Sequence, residues 1–334
     1  MILKQISRIE DTSLKLEDVP KPALKSNEVL VKISACGICR TELDEIEGRR
    51  SPKIPIILGH EIVGRIETLG PSSKRFNLGD RVGIAWIYST CGQCRFCLSG
   101  QENLCEHFKA TGCDVDGGYA QYVKVQEDFA YKIPDRLDDI EAAPLLCAGA
   151  IGYRALKLTG LKDSETIGLF GFGASAHQVY QLIRYLYPHT KVFVFTRKKG
   201  DGPSLLAREM GADWVGETGE EPPEKLNRAI DTTPVGQPVI EALKRLEKGG
   251  RLVINVIRKE ELIPQMKYEQ HLWYEKEVKS VANITRKDVH EFLKIAAEVP
   301  IIPKIREFRL EEANKALLML KQGEYHGAGV LKIE

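Results

Sequence analysis

The run T166-I-G-L-F leads straight into G171-F-G173-A-S-A176, then into H-Q-V-Y-Q-L-I-R-Y-L and K-V-F-V-F-T-R. A β-like run, a glycine turn, a helical run and a second β-like run thus follow one another within about thirty residues. In such a unit the helix is the crossover connection that a parallel pair of strands needs. A parallel sheet in turn needs helices over its faces. Gly171 permits the tight turn, and Gly173 lets the backbone approach a pyrophosphate. Ala176 holds the third position, where a small side chain allows helix and strand to pack closely. With Phe172 and Ala174 between them, these residues read as a Rossmann βαβ unit with its phosphate site at the helix N-terminus. The competing reading of the turn alone is an ordinary βα connection.

The end of the second strand bears on which dinucleotide would bind. A unit that prefers NAD places Asp or Glu about twenty residues past the glycine turn, on the ribose 2′-OH. Here the strand runs into Thr196, Arg197, Lys198 and Lys199. A hydroxyl and cations suit a 2′-phosphate, with Arg197 in bidentate fashion. NADP(H) is therefore the expected cofactor and NAD(H) the alternative. Strand and helix runs continue to residue 283, among them the helix V-I-E-A-L-K-R-L-E-K, with Gly249-Gly250 as its stop.

Residues 1–148 have a different rhythm. Short alternating runs such as E-V-L-V-K-I-S and E-I-V-G-R-I-E-T-L-G are punctuated by Gly and Pro. They predict an irregular, barrel-like β unit with long loops. One loop holds Cys91, Cys94, Cys97 and Cys105, with two, two and seven residues between successive thiols. Four such thiols can close on one tetrahedral zinc ion and leave no open position. An iron–sulfur cluster is the competing metal, but the run lacks ferredoxin spacing. Cys39 follows one apolar run, and His60-Glu61 follow another. Thiol, imidazole and carboxylate are the donors of a catalytic zinc with an open position. Cys147 lies in A-A-P-L-L-C-A-G, read as the start of a helix, and is a candidate third ligand. The bland reading makes Cys39 and Cys147 core residues.

Lys and Arg number 48 against 47 Asp and Glu, with no basic stripe. That argues against nucleic acid and anionic membranes as partners. No apolar run approaches the ~20 residues of a membrane span, and the N-terminus lacks a signal-peptide layout. A cytoplasmic protein with reduced thiols is expected.

C39-R-T, G59-H-E-x-x-G64, G79-D-R-V, the four-cysteine loop, Cys147 and G171-F-G173 stand between residues 39 and 173, within a likeness that covers essentially the full length. In these the sequence resembles the zinc-dependent alcohol dehydrogenases of the medium-chain dehydrogenase/reductase superfamily. The resemblance implies an α/β protein. Residues 1–148 and 284–334 would form a GroES-like catalytic domain with both zinc sites, and 149–283 the Rossmann domain. It implies two zincs per chain. Cys39, His60 and Cys147 would bind the catalytic zinc, with Glu61 a nearby carboxylate able to ligate it. Cys91, Cys94, Cys97 and Cys105 would bind the structural one. Thr41 would pass on the alcohol proton, Arg40 would contact the cofactor pyrophosphate, and Trp86 would wall the substrate pocket. The substrate would be a small alcohol or aldehyde, and the assembly a homodimer or homotetramer.

Some positions depart from the family pattern. Glu42 stands where Asp is usual, so a longer arm must reach the same partner. Asp44 replaces a relay His of some members, and a carboxylate can serve that relay. A C-terminal pyrophosphate-clamping Arg is missing around Gly327-Ala328-Gly329. Cys36 and Cys113 match no ligand role. A polyol or sugar dehydrogenase is the nearest alternative, although many of those lack a catalytic cysteine or the full four-cysteine loop. A non-enzymatic nucleotide-binding role would leave Cys39, Thr41, His60 and Cys147 without purpose.

Overall fold

The structure, a computed structural model, describes residues 1–299 and 301–333. Contacts within the chain divide it into two compact units, Met1–Ala150 with Asn283–Glu334, and Ile151–Ala282.

The first unit is built on the strand Glu28–Ile38. Nearly every side chain of this strand is buried, Lys32 being the exposed exception. A strand covered on both faces belongs inside a closed or layered sheet. It pairs antiparallel with Glu61–Leu69, with Tyr122–Gln126 and with the C-terminal strand Ala328–Lys332. The full sheet has seven strands. The register Gly37↔Glu61 and Cys36↔Ile62 sets the site. It carries the chain past residue 38 and into residue 61 at the same end of the same strand pair. Cys39 and His60 are therefore neighbours although 21 positions separate them in sequence.

In the second unit six parallel strands lie in the order Trp214–Glu217, Lys191–Thr196, Thr166–Phe170, Leu226–Asp231, Leu246–Ile254, Glu277–Ser280. By chain position this is 3-2-1-4-5-6, the Rossmann order, and the α/β class expected from the sequence holds. Phe170, Phe193, Phe195, Leu226, Val239, Leu243 and Leu252 pack as one core cluster. Phe170 and Phe195 stack with centroids 4.2 Å apart. Each such buried side chain contributes about 1.5–3 kcal/mol. Glycine does not stop the helix after this fourth strand. It runs Gln237–Arg245, and the chain is extended from Leu246. Leu246 is needed in the core cluster, so the chain leaves the helix before Gly249, which takes a left-handed φ of 69° inside the strand Leu246–Ile254, where its register against Leu226–Asp231 shifts. Among the described residues no helix is long and apolar enough to cross a membrane.

Candidate functional site

Among the described residues two clusters of ligand-type side chains form, both in the first unit. In one, single donor atoms of Cys39, His60, Glu61 and Cys147 all lie within 4.8 Å of one another. Each arrives on a different device. Cys39 is the N-cap of the short helix Arg40–Ile46. His60 and Glu61 enter the strand Glu61–Leu69. Cys147 does not start a helix, as the sequence suggested. It sits in a π-helical turn, Leu145–Gly149, that directly follows the helix Asp139–Pro144. Such widened turns cost helix stability and concentrate at functional sites.

His60 Nε2 lies 3.2 Å from Cys147 Sγ. The other ring nitrogen, Nδ1, faces Glu42 Oε1 at 2.7 Å. Glu42 Oε2 accepts the Cys39 backbone N–H, also at 2.7 Å. The longer arm of Glu42 thus holds two ligand residues at once, fixing the His60 tautomer that leaves Nε2 free to ligate. Glu61 reaches inward because Gly37 has no side chain. A Cβ there would stand 1.8 Å from Glu61 Oε2.

The electrostatics are those of donors crowded in a dry site. Hydrogen bonding with Cys147 holds the Cys39 thiol well below its usual value, and the same bond together with burial pushes Cys147 well above. Burial, then the charge at Cys39, drives the Glu61 carboxyl well up. Mutually repelling buried donors are what a bound cation relieves. Their spacing also fits zinc, whose ligands at 2.0–2.3 Å stand roughly 3.3–3.8 Å apart on a tetrahedron.

In the second cluster Cys105 Sγ is 3.5 Å from Cys91 Sγ, Cys94 is 3.6 Å from Cys97, and Cys91 is 3.9 Å from Cys97. These match the edges of a tetrahedron that could hold one ion. They are far too long for disulfides, and all eight cysteines are free. A multi-iron cluster would force its thiolates further apart, so a single ion fits better. Backbone N–H groups of Cys91, Cys94 and His107 point at the sulfurs, and those of Gln93 and Cys94 bring the Cys91 thiol down to about 6.

Around the first cluster, Thr41 is buried, with its Oγ1 3.5 Å from Cys39 Sγ. Arg40 is exposed on the same helix. Asp44 is buried, and its Oδ1 accepts from Arg49 Nε at 2.7 Å. Trp86 stands edge-on to the His60 ring, centroids 4.8 Å apart, and donates its Nε1–H to Asn283. Cys36 and Cys113 are buried outside both clusters. Sequence reasoning passed over Arg50, whose guanidinium lies 4.8 Å above the Trp86 ring. The one available signal was a second arginine directly after a ligand-bearing helix.

In the second unit Gly171 takes φ 84°, a left-handed turn that suits glycine. Gly173 caps the helix Ala174–Leu186 without any side-chain cap bond. A Cβ on Gly173 would meet nothing within 4 Å. No neighbour in the protein demands glycine there, so the open space in front of the free helix N–H groups fits a phosphate. Phe172 and Ala176 are buried beneath the turn, and Ala174 opens the helix. Thr196 is buried, with Oγ1 donating to Lys198 O at 3.4 Å. Arg197 and Lys198 are exposed, and Lys199 pairs with Glu220.

Comparison with known proteins bears on both units. Residues 25–135 match the alcohol dehydrogenase GroES-like domain. The probable alcohol dehydrogenase AdhA of Mycobacterium tuberculosis (strain CDC 1551 / Oshkosh) is 42% identical over 324 residues, covering 94% of this chain and 91% of that protein. An alcohol dehydrogenase of Geobacillus stearothermophilus is 38% identical over 331 residues, covering 96% of each. The crystal structure of CAD from Helicobacter pylori, complexed with NADP(H), superposes with a TM-score of 0.85 at 25% identity, over 93% of this chain and 91% of that one. Identity at this level over nearly the full length reaches across both units. The chain therefore belongs to the zinc-type medium-chain dehydrogenase/reductase family and is an oxidoreductase of its alcohol dehydrogenase branch.

Proposed function

We propose that the protein is a zinc-dependent alcohol dehydrogenase. It would exchange a hydride reversibly between a primary or secondary alcohol and a nicotinamide dinucleotide, with NADP(H) preferred. The convergence of Cys39, His60, Glu61 and Cys147 within 4.8 Å carries this reading. Cys39, His60 and Cys147 would hold a catalytic zinc, with Glu61 in reserve as a fourth donor. Cys91, Cys94, Cys97 and Cys105 would hold a structural one. Bound zinc supplies a Lewis acid that acidifies an alcohol hydroxyl, and the nicotinamide supplies the hydride acceptor.

The remaining work falls to the chain. Thr41 accepts the hydroxyl proton through Oγ1. Asp44, three residues on, shares its helix face, and its carboxylate is the next group that can take the proton onward. Glu42 orients His60. Trp86 lines the substrate side and excludes water. Gly171, Phe172, Gly173, Ala174 and Ala176 form the pyrophosphate turn, assisted by Arg40. Thr196 and Arg197 face the adenosine 2′-phosphate. The exposed sheet edge Glu277–Ser280 supports a homodimer or homotetramer. Free thiols set for metal rather than disulfides support a cytoplasmic location.

The test is absorbance at 340 nm with zinc-loaded protein, both nicotinamide cofactors, and ethanol, benzyl alcohol and a polyol panel. Oxidation of simple alcohols supports the reading. Turnover of polyols alone moves the protein to the sugar-alcohol branch, and no turnover with any alcohol rejects the activity.

A further inference from the structure

Resting on the alcohol dehydrogenase reading, we propose that Arg50 selects substrates with a carboxylate remote from the reacting carbon: short hydroxy acids and their semialdehydes. The backbone N–H of Arg50 bonds Asp44 O at 3.0 Å, which ties the residue to the end of the helix bearing Thr41. Its guanidinium stacks on Trp86 at 4.8 Å, and its Nε donates to Cys113 Sγ at 3.2 Å. Stacking and that bond together fix the plane of the fork. Trp86 packs its other contact edge-on against His60, so the cation stands one indole ring away from a proposed zinc ligand.

Among the described residues the buried Glu45 carboxyl acts on the Arg50 charge, at longer range than an ion pair. Among the described residues no carboxylate lies within ion-pair distance of it, and its two terminal nitrogens have no protein partner. Burial pushes the Cys113 thiol up to about 12, so it accepts the Nε–H as a neutral group. Glu45 is fully buried nearby, and burial followed by the charge on Glu42 holds its carboxyl well above the usual value. A half-buried, oriented guanidinium without an ion-pair partner is costly unless a ligand supplies one. Its free edge matches a carboxylate in bidentate geometry. A residue that only packed against Trp86 would not need the fork, because a methionine or leucine covers an indole without burying a charge.

The test compares kcat/KM for 4-hydroxybutyrate and butan-1-ol in the zinc enzyme, using whichever nicotinamide cofactor it accepts. The two substrates share a four-carbon chain and differ in the carboxylate. The expected wild-type ratio favours 4-hydroxybutyrate at least ten-fold. Arg50→Leu should lower that ratio at least ten-fold, and Arg50→Lys, which keeps the charge and loses the fork, should lower it less. Calorimetric titration with 4-hydroxybutyrate in the absence of nicotinamide reads binding without turnover, and Arg50→Leu should weaken it ten-fold. A merely structural arginine would change both substrates alike and leave the ratio where it was. An unchanged ratio in both variants, or a wild type that favours butan-1-ol, overturns the proposal. Should no alcohol be oxidised, the dehydrogenase reading fails separately, and the titration alone decides whether Arg50 binds the carboxylate. Melting temperatures establish that the variants fold, and if the leucine variant does not, the lysine variant decides.

Discussion

Gly37 shows how one missing methyl shapes the site. Alanine there would meet Glu61 Oε2 at 1.8 Å and Glu61 Cβ at 2.8 Å. Swinging the carboxylate aside would not suffice, because the Cβ is also in the way, so the strand pair must shift. Gly37→Ala should reduce zinc at the first cluster and cut alcohol turnover at least ten-fold, as read by metal analysis and by kcat/KM. Full zinc content with full activity would remove Glu61 from the site. Arg197 supports a second prediction. Charge-assisted bonds to phosphate contribute ~1.5–3 kcal/mol each, or ten-fold and more in affinity. Arg197→Ala should weaken NADP binding by that factor and leave NAD binding nearly unchanged. A wild type that binds NAD more tightly, with no effect of Arg197→Ala, refutes the cofactor preference. At this scale the sequence was legible where ligands are close in the chain. The four cysteines of 91–105 declare themselves by spacing. Cys39, His60 and Cys147 do not, because only strand register and a π-helical turn bring them together. Their donor types made them candidates, and family resemblance gave them their roles. Arg50 was invisible because its meaning depends on which ring it covers.

The four-cysteine loop has little else to hold it as an element. It contains one short helical turn, Arg95–Leu98, with no buried residue, and a three-residue 3-10 turn. Leu98 and Leu104 are exposed. Its protein anchors are polar: Glu102 accepts a two-pronged contact from Arg286, and Asn103 O accepts from Asn283. A metal ion held by the four thiols would therefore supply most of the loop's order, and a structural zinc contributes folding free energy directly. Cys97→Ser should lower Tm by about 5 °C or more, on the order of 2 kcal/mol at 2–4 °C per kcal/mol, and halve the zinc content. An unchanged Tm and zinc content would show that the loop needs no ion. The Gly173 turn gives the opposite expectation. The Cβ of Gly173→Ala meets no protein atom within 4 Å, so this variant should leave Tm nearly unchanged while lowering dinucleotide affinity at least ten-fold, as measured by fluorescence titration. Elements were the most legible level of the sequence, since both the βαβ rhythm and the alternating runs survive as helices and strands. Their ends were less so. The helix expected to reach Gly249 stops at Arg245 because Leu246 is drawn into the core, a tertiary demand that local signals do not carry.

At the scale of the molecule, the parallel sheet leaves one flank open. Among the described residues Glu277–Ser280 pairs only with Leu246–Ile254, and all four of its residues are exposed. An uncovered edge strand is a template for another strand. Trp273, Tyr274 and Val278 add exposed apolar surface beside it. Lys279 is the only cation on the strand, and Glu277 is already held by Arg251 through two bonds. A second copy of the same strand supplies matching N–H and C=O groups, with the exposed Val278 at the middle of the edge. The expected assembly pairs this edge with itself about a two-fold axis. Val278→Lys places like charges opposite each other in that pairing, which is destabilising. Light scattering after size exclusion should show the wild type at a multiple of the chain mass and the variant shifted toward the monomer. Zinc content should stay as before, because both ligand clusters lie in the other unit. A monomeric wild type would rule out assembly through any surface. An oligomer indifferent to Val278→Lys would move the interface away from this edge.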